Sequence, residues 1–340
     1  MKKRIVQIIL AILVAAGGLY LALGNVELDE VAAELQEARW GWIALTVLLV
    51  LLTLVIRAQR WRILLGRQHS LPDTFGLIGI GYLISGILPL RLGDPARAVA
   101  ASLRGPVTAV GALSTVVVER ALDMLLVVLM LLVTLPFVTG IQGYLETTTV
   151  GGGLTSDLVL MLSGGLSLVL LVTFALVAFF PGRVEALAVR LLTRMGVVDS
   201  EPWVRPLRSL LEGLAPLRSP REGLAIILWS LLLWLVTGAY FTVGLRAFTP
   251  EAGFLQGIVA TWASAFGMIF PAPGGIGAFH YAVTQSLNLG FALAEETALA
   301  YATVLHGVAY LLGIVVGALA LVIWGMSLSE LGRRSQEIAG

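Results

Sequence analysis

The 340 residues contain no cysteine, which excludes disulfides, thiolate metal sites and a cysteine nucleophile. Charge is scarce too: 13% of residues are charged, against about a quarter in soluble domains. The net charge of +1 gives no reason to expect a nucleic-acid partner. There is no His-Glu-x-x-His and no Gly-x-Ser-x-Gly, and the glycine triplet Gly151-Gly152-Gly153 lacks the Lys-Ser or Lys-Thr that completes a phosphate loop. His69, His280 and His306 are too scattered to predict a metal site, so no metal and no cofactor is expected. What remains is apolar: 58% of the chain is hydrophobic and the mean hydropathy is +0.94. That composition predicts an all-α polytopic membrane protein, a single membrane domain over 1–340.

Six apolar runs are long enough to span a bilayer, at roughly 5–24, 41–62, 108–135, 158–180, 223–246 and 294–325. The first follows Met1-Lys2-Lys3-Arg4 and ends at Gly24-Asn25-Val26-Glu27, a poor cleavage site, so it reads as an uncleaved span. Two further apolar stretches are interrupted by proline and glycine. One carries Gly86-Ile87-Leu88-Pro89-Leu90-Arg91-Leu92-Gly93-Asp94-Pro95, the other Pro271-Ala272-Pro273-Gly274-Gly275-Ile276-Gly277. Proline removes a backbone donor and glycine weakens a helix, so neither reads as a plain span.

The basic residues set the orientation. Lys2, Lys3 and Arg4; Arg57, Arg60, Arg62 and Arg67; the arginines between 183 and 221; and Arg333 with Arg334 fall on one side if the six spans alternate. That side is predicted to be cytoplasmic, with both termini there and the protein in the inner membrane. The alternation requires each interrupted stretch to enter and leave by the same face. The expected fold is therefore six full spans plus two opposed re-entrant hairpins, 75–105 and 254–290, the first in half 1–135 and the second in half 158–325. Each half runs span, amphipathic segment, span, hairpin, span. With three spans between equivalent elements, the second copy is inverted, a pattern that points to a transport site near the midplane. The basic stretch 181–222 is the cytoplasmic connector, suited to anionic headgroups.

Ionised side chains inside the membrane cost several kcal/mol unless paired or watered. Glu119, Arg120 and Asp123 lie in the third span, with Glu119 and Asp123 four apart on one face and Arg120 within reach of Asp123. The first hairpin adds Arg91, Asp94 and Arg97. The set neutralises itself by pairing, or leaves an arginine to meet a phosphate, a task suited to a planar, permanently charged fork. A half-helix opening after Gly93 places Asp94 to cap it, with Pro95 in the first turn; a second opens after Gly277.

Arg60-Trp61, the run Leu88-Pro89-Leu90-Arg91-Leu92-Gly93-Asp94 with Arg97, Glu119-Arg120 with Asp123, and the second proline-glycine segment resemble, in order, the lysylphosphatidylglycerol synthase transmembrane, or flippase-like, family. The resemblance covers essentially the whole chain. It implies a lipid-translocating domain; fused members pass aminoacylated phosphatidylglycerol across the bilayer beside a soluble domain that makes it. Only a short tail follows Trp324, so synthase activity is not expected of this chain. Two departures stand out: His280 occupies the place of a usual glutamate, and Ala302 follows Tyr301 where an arginine is common. If those family residues pair, both partners are absent here together, as the cost of a single buried charge requires. His280 is left to pair with His306 or Gln285, or to titrate near neutral pH.

These readings predict a non-enzymatic flippase-like transporter of an anionic phospholipid or polyprenyl-phosphate-linked lipid. Arg91, Arg97 and Arg120 attract phosphate, Asp94, Glu119 and Asp123 orient them, and Pro271, Pro273, Gly274, Gly275, Gly277 and His280 form the opposing gate. Membrane lipids are the expected partners, with an envelope-lipid synthase as a candidate protein partner. The alternatives are an ion-coupled carrier of a small anionic solute, a non-transporting lipid-binding partner, and a membrane-embedded transferase using Glu119 or Asp123 as base.

Overall fold

The computed structural model describes residues 16–23, 26–87, 92–141, 180–194, 215–270 and 272–327, with isolated positions between 143 and 213. The expected spans at 5–24 and 158–180 lie largely outside these residues. Every element among the described residues is helical. A short amphipathic helix α1 (Leu28–Glu37) precedes α2 (Trp40–Leu64), α3 (Leu71–Ile87), α4 (Gly93–Arg104) and α5 (Ala109–Thr134). After α6 (Pro181–Arg194) and a single turn at Ala215–Arg218 come α7 (Pro220–Leu245), α8 (Phe254–Gly267), α9 (Ala278–Phe291) and α10 (Glu295–Trp324).

Among the described residues, α2, α7 and α10 are long and apolar enough to cross a membrane. Their outer faces show why: Leu48, Leu52, Leu224, Leu228, Leu235, Leu311 and Val322 are exposed, an arrangement that suits lipid and not water. Helix α5 is 26 residues long but carries Glu119, Arg120 and Asp123 in its middle. Local signals set the ends. Thr108 accepts the Gly111 amide to cap α5, Pro220 opens α7, and Gly325, with φ of 62°, ends α10.

The two interrupted stretches each form a pair of short helices. With 17 and 12 residues in α3 and α4, and 14 in each of α8 and α9, none reaches the roughly 20 residues a spanning helix needs. In the first pair the helices are antiparallel: His69 Nε2 lies 3.0 Å from the Ala101 carbonyl, Arg104 pairs with Asp73 at 2.8 Å, and Gly81 faces Gly93 at the far end. In the second, Gly267 abuts Ala278 and Ala282 beside the break.

Antiparallel crossings join the first four long or broken elements to the last four. Helix α2 lies against α7, with Thr46 near Gly244, Arg60 bonded to Ser230 and Arg67 paired with Glu222. Helix α3 runs along α10 on a glycine face: Gly76 under Trp324, Gly79 against Gly317, and Tyr82 over Gly313. Small residues let these backbones touch, which is how helices associate where no hydrophobic effect separates protein from lipid.

A polarity follows from the directions. One end of the molecule gathers Arg62, Arg67, Arg104, Arg221 and the base of the first short pair. The other gathers the acidic α1, whose Glu34 accepts from Thr297, together with Glu295, Glu296 and the base of the second short pair. The largest core packs α2 to α5 around Trp61; a second packs α7 to α10 around Phe241, Val283 and Tyr301.

Candidate functional site

Helix α2 presents Arg57 and Arg60, three residues apart, to the charged face of α5. Arg60 is completely buried and grips Asp123 with both terminal nitrogens, at 2.7 and 3.2 Å. Its Nη2 also lies 3.0 Å from Glu119 Oε1, and Nη1 donates to the Ser230 hydroxyl of α7 at 3.2 Å. Arg57 reaches the same Glu119 oxygen at 3.2 Å and Asp123 at 3.6 Å. Trp234 of α7 donates its indole N–H to Asp123 at 3.1 Å. Arginine is suited to this sharing because five donors spread over a rigid fork can serve two carboxylates at once.

Arg97 arrives from α4. Its Nη1 donates to Glu119 Oε2 at 3.2 Å, its Nε donates to Asp94 at 3.2 Å, and its plane lies 4.5 Å above the buried Trp61 ring. Trp61 is fixed in turn by an indole bond to Thr115 at 3.0 Å. Arg120 turns the other way, forking onto Asp94 at 2.9 and 3.0 Å and staying 3.9 Å from Asp123. Among the described residues, four guanidiniums meet three carboxylates, an excess of one positive charge. Arg60 Nε and Arg97 Nη2 are buried without a well-aligned hydrogen bond, so donor capacity is left over.

The layer is graded. Arg60, Glu119 and Arg97 are sealed; Arg57 is 17% exposed, Asp94 26% and Arg120 49%. The Asp94–Arg120 pair is thus the open end, next to the break between α3 and α4.

The second break has a different chemistry. Gly274, Gly275 and Gly277 hold φ of 61°, 76° and 84°, backbone that a side chain makes strained. His280 Nδ1 accepts the Gly277 amide at 3.3 Å. The His280 ring lies 5.1 Å from that of His306, which stacks on Tyr310 at 4.8 Å. Gln285 goes instead to Glu295, at 3.5 Å. The turn Pro273–Gly275 packs against α3, and Tyr82 of α3 meets Tyr310 edge-on. The break and the charged layer are therefore neighbours through α3, not one cluster.

Five of the expected site residues, Asp94, Arg97, Glu119, Arg120 and Asp123, come together. Arg91 and Pro271 lie outside the described residues. Asp94 does not cap α4: the N-cap position falls on Leu92, and the Asp94 oxygens are taken by Arg97 and Arg120, whose full charges make them stronger donors than a backbone amide. Arg97 is engaged by two acids and a ring, so Arg120 is the expected phosphate ligand that stays accessible. Arg57, Arg60, Ser230 and Trp234 were not among the expected site residues. Arg57 and Arg60 sit three apart at the end of an apolar run, where they count equally well as loop charges; that spacing, with acids at the same period in α5, is the signal that joins them.

Fold and site together define a multi-pass α-helical membrane protein with a charged layer inside its helix bundle. A family model described as the lysylphosphatidylglycerol synthase TM region matches residues 8–317, and the chain belongs to that family. The family is membrane-embedded and associated with lipid handling. No curated protein and no solved structure matches the chain.

Proposed function

We propose that the protein moves an anionic lipid, a phospholipid or a polyprenyl-phosphate-linked lipid, between the leaflets of the inner membrane. The observation that carries this reading is the graded charge layer: a sealed Arg60–Asp123–Glu119–Arg97 core that ends in an accessible Arg120 beside a helix break. A phosphate displaces the Asp94 carboxylate from Arg120 and draws on the excess positive charge, with Arg57 as second contact. The acyl chains stay in lipid, so no aqueous pore is required.

The two short helix pairs are read as re-entrant hairpins that approach the midplane from opposite faces, in halves related by inversion. The antiparallel packing of the equivalent helices α2 and α7 supports this, as do the bases of the two pairs at opposite ends of the molecule. The end rich in Arg62, Arg67, Arg104 and Arg221 is read as cytoplasmic. The basic amphipathic α6, with Leu187 and Leu191 exposed, then lies along the headgroups of that leaflet.

The test is translocation of fluorescent phosphatidylglycerol in proteoliposomes. Arg120→Gln is expected to slow it by about tenfold or more, the value of one charge-assisted contact of roughly 1.4 kcal/mol or above. Its unfolding transition should move little, because Asp94 keeps Arg97 as a partner. Native rates in both Arg120→Gln and Arg57→Gln would remove the assignment. Uptake of a small anion into sealed vesicles without lipid movement would instead favour a solute carrier.

A further inference from the structure

The second break carries chemistry that a phosphate-binding layer does not need. His280 of α9 and His306 of α10 face each other, and each is tied to the glycine break. His280 Nδ1 takes the Gly277 amide, and His306 interacts with the Gly274 backbone. Phe279 and Tyr310 hold the His306 ring from two sides, at 4.6 and 4.8 Å. One helical turn beyond His280, on the same side of α9, the buried Thr284 hydroxyl has no hydrogen-bond partner. Buried hydroxyls in that state are ordinarily satisfied by water or a ligand.

The described surroundings hold no countercharge. Among the described residues, no carboxylate and no guanidinium interacts with either ring. Tyr310 on α10 meets Tyr82 of α3 edge-on, and Tyr240 of α7 packs on the Phe279 cluster. Tyr281 of α9 is 39% exposed, α8 contains no ionisable residue, and segment 16–23, which meets the break at Gly18, has only the exposed Tyr20.

We propose that His280 and His306 form a single proton site, and that loading it releases the glycine break and makes passage through the neighbouring lipid site proton-linked. The last clause rests on the lipid-transport reading above; the proton site does not. An imidazole that accepts through Nδ1 is neutral, with its proton on Nε2. A proton arriving at Nδ1 destroys the acceptor and sets two N–H groups against each other, so the Gly277 amide moves away. The flanking glycines have no side chains to resist the new backbone angles. A second imidazolium about 5 Å from the first, with no acid nearby, is strongly disfavoured, so the pair holds one proton.

The full chain in phosphatidylcholine–phosphatidylglycerol nanodiscs, labelled with ¹⁵N-histidine, gives a pair of ring-nitrogen signals for each of its three histidines. On acidification, His280 and His306 together should take up one proton. Amide exchange in 272–280, corrected for its intrinsic pH dependence, should rise about tenfold or more. His280→Asn combined with His306→Asn keeps an acceptor for Gly277 but leaves no ring to titrate, so exchange in that double variant should not respond to pH. Independent uptake by both rings, or exchange at 272–280 that ignores pH in the wild type, overturns the proton site. In vesicles, the wild-type rate of lipid movement should change with pH and that of the double variant should not. If lipid stays still at every pH while the exchange response is present, the proton site stands and the lipid reading falls; a pH-independent lipid rate beside an intact exchange response overturns the linkage.

Discussion

Removing the charge of Glu119 without changing its shape tests the whole ionic layer. Glu119 is sealed from solvent and its two oxygens serve Arg57, Arg60 and Arg97. In Glu119→Gln the layer keeps four guanidiniums against two carboxylates, and the new amide must turn N–H donors towards one of them. Breaking a buried ion pair by removing one partner costs about 3–5 kcal/mol, because the other charge stays behind. The sharper expectation concerns rescue. Arg57→Met, added to Glu119→Gln, restores an excess of one positive charge, and Arg57 is the partner nearest solvent on α2. The double variant should recover on the order of 2 kcal/mol relative to the single one, within the range found for coupled neighbours. Unfolding by detergent titration in mixed micelles, for wild type, both single variants and the double, closes the cycle. If the two losses simply add, charge balance is not what holds α2 to α5, and the layer is a set of independent hydrogen bonds.

Two further outcomes follow from the packing. Gly79→Leu should destabilise by about 1–3 kcal/mol, the usual cost of overpacking, because a Cβ there lies 2.5 Å from the Gly317 backbone nitrogen, an atom that cannot step aside; the same detergent titration reads it. Arg67→Ala, at the solvent end of α2, should change stability by less than about 1 kcal/mol despite its 3.0 Å contact with Glu222, because both side chains are substantially exposed.

Much of this was legible before any coordinate. The lengths of the apolar runs place α2, α7 and α10, and prolines and glycines mark both breaks. The i, i+4 spacing of Glu119 and Asp123 puts them on one face of α5, where the structure has them side by side on Arg57 and Arg60. The partners were harder. Asp94 illustrates the difficulty: its place in the first turn of α4 fits a capping role, and only the approach of Arg97 and Arg120 decides against it. Local sequence ranks the local bond, whereas a guanidinium delivered by a helix distant in sequence is the stronger donor.

Arg57 and Arg60 expose a second limit, one that bears on orientation. A basic residue at the end of an apolar run is counted as a loop charge, yet these two turn inward and are neutralised by acids of α5. A side chain held inside the bundle is not at a membrane surface, so both leave the count of basic residues on which the proposed orientation rests. The count survives the loss: Arg62 and Arg67 stay at the same end of α2, and Arg104 and Arg221 join them there. Meanwhile the acids of α1 and the start of α10 gather at the other end. The arginines of the interior layer and those on which the proposed orientation rests are thus separable by one structural criterion, a carboxylate partner inside the bundle. That criterion assigns Arg57 and Arg60 to the interior layer and Arg62 and Arg67 to the interface.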